Sequence, residues 1–150
     1  MLLKTKSLMK AFGGLKAIDK VDFELVSPEK LLMSTQASMV VIPGTEGDFG
    51  VLAGHTDIIS NIRAGIVGVY VDEIIDRRVF VSGGVAEVSQ DRCTILADEA
   101  IFLEEVNKKT AEDRLAEAQK ILDQSKDEAS RVNAERQVAI AQSLFDAVTD

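Results

Sequence analysis

His55 and Asp57 are the chain's one histidine and a carboxylate two residues on, the pair that a general base and its orienting group would need. A nucleophile for them would have to be Cys93, the single cysteine, or one of the many serines and threonines. Glu46, Asp48 and Asp57 are close enough in sequence to hold a hard cation, but their spacing does not match the EF-hand loop. None of the patterns GxSxG, HExxH, GxxxxGK[ST] or CxxC occurs. A lone histidine at a glycine-flanked bend reads as a loop hydrogen-bonder. The acidic loop reads as a solvated one, and Cys93 as a small apolar strand residue. With one Cys and one His, a zinc site made of these residues alone is excluded. The side chains point away from catalysis, and no metal or cofactor is expected.

Glu46, Asp48 and His55 ride on one unusual stretch, Ile42 to His55, reading IPGTEGDFGVLAGH. Pro43, Gly44, Gly47, Gly50 and Gly54 sit there among short apolar steps, and residues of this kind fix bends and put side chains on loop tips. The stretch is read as a contact surface. Arg77-Arg78, after Asp76, reads as ordinary turn charge.

The net charge of −8 over 150 residues argues against nucleic acid as a partner. Aromatics are few and Trp is absent, so Val, Ile, Leu and Ala must build the core. Residues 1–20 carry five lysines and one Asp, with Leu8, Phe12 and Leu15 at helical spacing. They are read as a flexible basic extension, in preference to an Arg-poor transit peptide or a membrane-surface helix. No apolar run is long enough to span a bilayer. A lone thiol suits a reducing compartment.

The elements that must position these side chains change character near Glu104. All ten glycines and both prolines precede it; beyond it the chain is rich in Ala, Glu, Lys, Gln and Asp. Val21, Phe23 and Leu25 alternate with acids as a half-buried strand. Further strands are predicted at 30–33, 39–42, 57–62, 66–71, 79–82, 85–89 and 94–97. Such short, closely spaced strands indicate an antiparallel sandwich or barrel. Thr110–Asp113 and Ser125–Glu128 resemble capping boxes opening two helices. Ala111, Leu115, Ala118 and Leu122 line one helix; Ala134, Val138, Ala141, Phe145 and Val148 line the other. Two amphipathic helices with a short connection make an antiparallel hairpin. Such a hairpin owns little core and can cap the sandwich or detach from it.

In order, IPGTEGDFGVLAGHTDIISNIRAGIV at 42–67, FVSGG at 80–84, ILADEAI at 95–101 and a helical hairpin resemble the epsilon subunit of the F-type ATP synthase, whose mitochondrial equivalent is called delta. The resemblance runs from about Val21 to Val148. It implies an all-β sandwich of about ten strands followed by a C-terminal α-helical hairpin: a basic extension over 1–20, a sandwich over 21–103 and a hairpin over 104–150. It also implies a non-catalytic central-stalk subunit that binds gamma and sits on the c-subunit ring. Glu46, Asp48 and His55 would face the ring, where charge fixes register more than affinity. The hairpin would reach the catalytic alpha and beta subunits.

Departures from the family pattern shape the expectations. Ala53 stands where the family usually has proline before Gly-His, which predicts a looser turn. Val106–Ala111 aligns with the ATP-binding motif of some bacterial members, but Asn107 replaces its acid and Thr110 its arginine, so no ATP site is expected. No basic residue lies between Gln137 and Asp150, so little inhibition by the second helix is expected. The location implied is peripheral, on the cytoplasmic face of a bacterial inner membrane or the matrix side of a mitochondrial one. The competing readings are a free-standing β-sandwich binding module with a regulatory helical tail and, behind it, a small hydrolase.

Overall fold

The computed structural model describes residues 20–150, so the extension expected over residues 1–20 lies outside the described residues except for Lys20. Val21, Phe23 and Leu25 are fully buried and Asp22 is exposed, so the alternation in the sequence turns one face of β1 (Val21–Val26) inward. Nine more strands follow: β2 (Leu31–Ala37), β3 (Met39–Gly44), β4 (Gly47–Val51), β5 (Ile58–Ile62), β6 (Gly65–Val71), β7 (Ile74–Val81), β8 (Gly84–Val88), β9 (Arg92–Ala97) and β10 (Ala100–Phe102). They bond in the order β10-β7-β6-β3-β5-β8-β9-β1-β2, with β4 on β3 alone. β3 and β5 meet only where Gly44 faces Ile62. One core cluster takes Val40, Ile42, Val67 and Val79 from one side of that junction and Phe23, Leu25, Ala86 and Ile95 from the other, so the two layers face each other. The architecture is the expected sandwich of ten strands.

Several local expectations are corrected. β1 and β9 pair in parallel, because strands far apart in sequence have no hairpin to set their direction. β2 runs to Ala37 rather than stopping at Met33, since β1 offers it partners as far as Val21. Ile74–Asp76 belongs to β7, and only Asp72-Glu73 turns the β6–β7 hairpin. Both turn residues have positive φ, 51° and 70°, as a two-residue hairpin turn of this hand requires. Arg77 is thus a strand residue. Its guanidinium lies 3.8 Å over the Phe102 ring and 2.7 Å from Glu104. β10 is too short to show as a period.

A 3-10 turn (Leu103–Glu105) leads into α1 (Lys108–Asp123), and α2 (Glu128–Thr149) follows. Both predicted caps move. Asn107, not Thr110, caps α1: its side chain accepts the Thr110 N–H at 2.8 Å. Asp127, not Ser125, caps α2 by accepting the Ser130 N–H at 2.8 Å, and these Ser130 bonds hold its carboxyl below the ordinary value. Ser125 Oγ instead donates to the Ile121 carbonyl and closes the end of α1. Ala111, Ala118, Ala134 and Ala141 are buried as predicted, but so are Ile140 and Leu144, outside the predicted stripe. α2 packs on two neighbours, α1 and the outer face of β6–β7. Phe80, Ala111, Ile140 and Leu144 form that second cluster.

Candidate partner-binding surface

The stretch from Ile42 to His55 is not one loop. Residues 47–51 pair with β3 as strand β4, from Val40 opposite Val51 to Gly44 opposite Gly47. Glycine is required at the tip: a Cβ on Gly44 would come 2.8 Å from the Gly47 carbonyl oxygen and 2.9 Å from the Phe49 ring, and Gly47 has φ +129°. Thr45 and Glu46 are left exposed at the turn. Arg63 braces it, donating to the Gly44 carbonyl oxygen at 2.6 Å and to Asp48 Oδ1 at 2.7 Å. Asp48 is therefore already paired within the chain.

His55 stands at the other end of β4. Four steps of strand separate Gly47 from Val51, about 14 Å at the usual rise. There Leu52 to His55 make a tight turn: the His55 N–H donates to the Leu52 carbonyl oxygen at 3.1 Å, and Gly54 has φ +86°. That angle is the one the third position of a type II turn demands. The turn is closed despite Ala53 at the second position, where proline was expected. A bond from the Gly54 N–H to the Gln90 carbonyl oxygen, 2.6 Å, ties it to the β8–β9 connection. His55 Nδ1 lies 2.7 Å from the Thr56 carbonyl oxygen, so that nitrogen carries the proton, and the ring is oriented by the backbone rather than by Asp57. Among the described residues β4 pairs with β3 alone, so Asp48 lies on a sheet edge, with Glu46 in the turn before the strand and His55 in the turn after it.

The remaining candidates have structural occupations. Cys93 is fully buried and desolvation pushes its thiol up to about 12, which removes it as a nucleophile. Asn107 and Thr110, the positions that depart from the ATP motif, are bonded to each other in the α1 cap. Among the described residues no three His, Cys, Asp or Glu gather as a metal site, and no helix is long and apolar enough to cross a membrane.

The larger surface was missed in the sequence. Strand registers place Asn61, Val85, Leu96, Val26 and Leu31 side by side across β5-β8-β9-β1-β2. Cys93, Ile95 and Ala97 point into the core, so Leu96 must point out, and it is 46% exposed; Leu31 is 54% and the nearby Ile59 76% exposed. The available signal was doubling: Leu25-Val26, Leu31-Leu32 and Ile95-Leu96 each put two apolar residues in succession on a strand, which sends one of them outward. The hairpin covers the other layer of the sandwich, and among the described residues no element covers this one.

The family model described as ATP synthase, Delta/Epsilon chain, beta-sandwich domain matches residues 20–103. The chain is 43% identical to an ATP synthase epsilon chain of Rhodospirillum rubrum over 127 residues, 85% of this chain and 95% of that one. It is 42% identical to one from Paramagnetospirillum magneticum, covering 87% of this chain and 98% of that one. A chain in the Euglena gracilis mitochondrial ATP synthase, solved with its OSCP, F1 and c-ring, superposes with a TM-score of 0.74 at 28% identity, covering 86% of this chain and 81% of that one. A chain of the Tetrahymena thermophila mitochondrial ATP synthase central stalk and c-ring shares the fold, with a TM-score of 0.64 at 15% identity, covering 86% and 96%. Sandwich, hairpin and 43% identity over most of the chain agree: this chain belongs to the delta/epsilon family of ATP synthase subunits, as a non-catalytic, epsilon-type member.

Proposed function

We propose that the chain is a rotor subunit in the central stalk of a proton-translocating F-type ATP synthase, coupling c-ring rotation through gamma to ATP synthesis. The carrying observation is the asymmetry of the sandwich: the hairpin covers one layer, while the other carries an apolar row of Val85, Leu96, Val26 and Leu31, in which Leu96 and Leu31 are exposed. The gamma subunit occupies that open layer. The free edge along β4 faces the ring, with Glu46 as the acid available for pairing there, Asp48 fixing the tip through Arg63, and His55 at the far end. The complex holds the chain peripherally at the cytoplasmic face of a bacterial inner membrane, or at the matrix side in mitochondria.

The hairpin contributes little inhibition and no ATP site. Asn107 is committed to the α1 cap, and the last turn of α2 has no basic residue to meet acidic catalytic subunits. Deleting residues 104–150 should leave ATP hydrolysis by the whole complex little changed, and a several-fold rise would refute this part.

Co-purification tests the main reading. Tagged protein should bring down gamma with the catalytic subunits, and Leu96→Glu with Leu31→Glu should abolish this while the sandwich stays folded. A stable monomer without these partners would instead favour a free-standing binding module. Glu46→Lys should leave gamma binding intact but reduce proton pumping per ATP hydrolysed; unchanged coupling would remove Glu46 from the ring contact.

A further inference from the structure

Two adjacent carboxylates, Asp98 and Glu99, turn the chain from β9 into β10, and each grips a different helix. Glu99 takes both arms of Arg114 on α1, Nη1 to Oε2 at 3.0 Å and Nη2 to Oε1 at 2.8 Å. This is the paired, planar geometry in which an arginine–carboxylate contact is strongest. Asp98 Oδ2 lies 3.4 Å from Arg136 Nη2 on α2. The turn is anchored beneath: the Asp98 N–H donates to the Gly83 carbonyl oxygen at 2.9 Å, and the Ser82 N–H to the Glu99 carbonyl oxygen at 3.0 Å. Gly83, at φ +132°, gives Asp98 that backbone partner. The carboxylates therefore belong to the sandwich and cannot follow the helices away. Among the described residues the apolar contact under the hairpin is the smaller of the two clusters, with Phe80, Ala111, Ile140 and Leu144 buried and six half-buried apolar residues packed on them, so charge pairs at its rim are a larger share of its hold than they would be in the sandwich core.

We propose that the Asp98–Glu99 turn is an electrostatic clasp that holds both helices at once, so that the hairpin docks and leaves as a unit, released by ionic strength without unfolding the sandwich. The clasp rests on contacts within the chain and is independent of the partners proposed above. Half-exposed ion pairs weaken as the screening length shortens, whereas apolar contact does not.

Hydrogen exchange on the full chain tests it. Asp98→Asn with Glu99→Gln should speed exchange over residues 108–149 roughly ten-fold at low salt, while the strands keep their protection. Salt near ~0.5 M should speed the same helices in the natural chain and do little in the variant. Glu99→Arg combined with Arg114→Glu should restore protection that either change alone removes. Unchanged exchange in the neutral variant would overturn the clasp, because the apolar cluster alone would then hold the hairpin. Release of one helix while the other stays protected, faster exchange spread through the strands, or failure of the charge swap to rescue would overturn it equally.

Discussion

Among the described residues seventeen buried apolar side chains meet inside the sandwich, drawn from both layers, whereas four meet beneath the hairpin. The sandwich carries its polar groups outward on alternate positions, and its ion pairs, such as Arg63 to Asp48, lie on its surface. The hairpin depends on small alanines for close approach and on arginines at its edge, Arg114 to Glu99 and Arg136 to Asp98. A rigid platform thus carries an element fastened by fewer and more condition-dependent contacts, and regions of this kind open first.

The sharpest way to break the comparison is to remove one large side chain from each cluster. Phe23→Ala should cost the sandwich about 3–5 kcal/mol and lower the main thermal transition, because Phe23 is fully buried between the layers. Leu144→Ala should cost about 2–5 kcal/mol of docking, read as faster exchange in α2 with the strands unaffected. A single transition lowered equally by both changes would mean that sandwich and hairpin form one cooperative unit.

These two residues also show what sequence can reveal. Phe23 was legible because its strand alternates, one face wet and one dry. Leu144 was not, because α2 meets α1 and β6–β7 together and no single stripe describes two contacts. The same limit applies at the candidate site. Glycine and proline marked the right segment, but composition could not say that 47–51 would pair as an edge strand and carry Glu46 and His55 to opposite ends. The ion pair between Arg63 and Asp48 joins residues whose proximity only the register decides. The open apolar row needed the registers of four strand pairs at once.

Alkaline pH probes the sandwich through one buried group. Burial pushes the Cys93 thiol from 9.0 up to about 12, so above the lower value the unfolded chain loses a proton that the folded chain keeps. Stability must then fall as pH rises, by roughly 1.4 kcal/mol per unit from this group across that window. Denaturant melts between pH 8 and 11 should show this slope reduced in Cys93→Ala, with hairpin exchange following a separate course. Equal slopes in both proteins would rule out the buried thiol as the cause.

A smaller effect is expected where the two regions join. Asn107→Ala removes the side chain that accepts the Thr110 N–H and should cost α1 about 1 kcal/mol. Hydrogen exchange should quicken at the start of α1, with the sandwich transition unmoved. A shift of the sandwich transition by the same amount would make α1 part of the platform.

The smallest expected change is a gain. Ala53 occupies the second position of a turn whose third residue, Gly54, has φ +86°, and proline is favoured at that second position because its ring sets the required φ beforehand. Among the described residues no turn or loop hydrogen bond uses the Ala53 N–H, so proline sacrifices no donor there. Ala53→Pro should therefore stabilise the sandwich by about 0.4–1 kcal/mol, mainly by restricting the unfolded chain. Hairpin exchange should stay the same, since the turn lies at the His55 end of β4 and the contact with α2 is at Ala64, where Ser143 reaches the backbone carbonyl. A loss of stability would show that Ala53, packed against the core, has no room for the ring, and that the closed turn is kept by burial rather than by backbone preference.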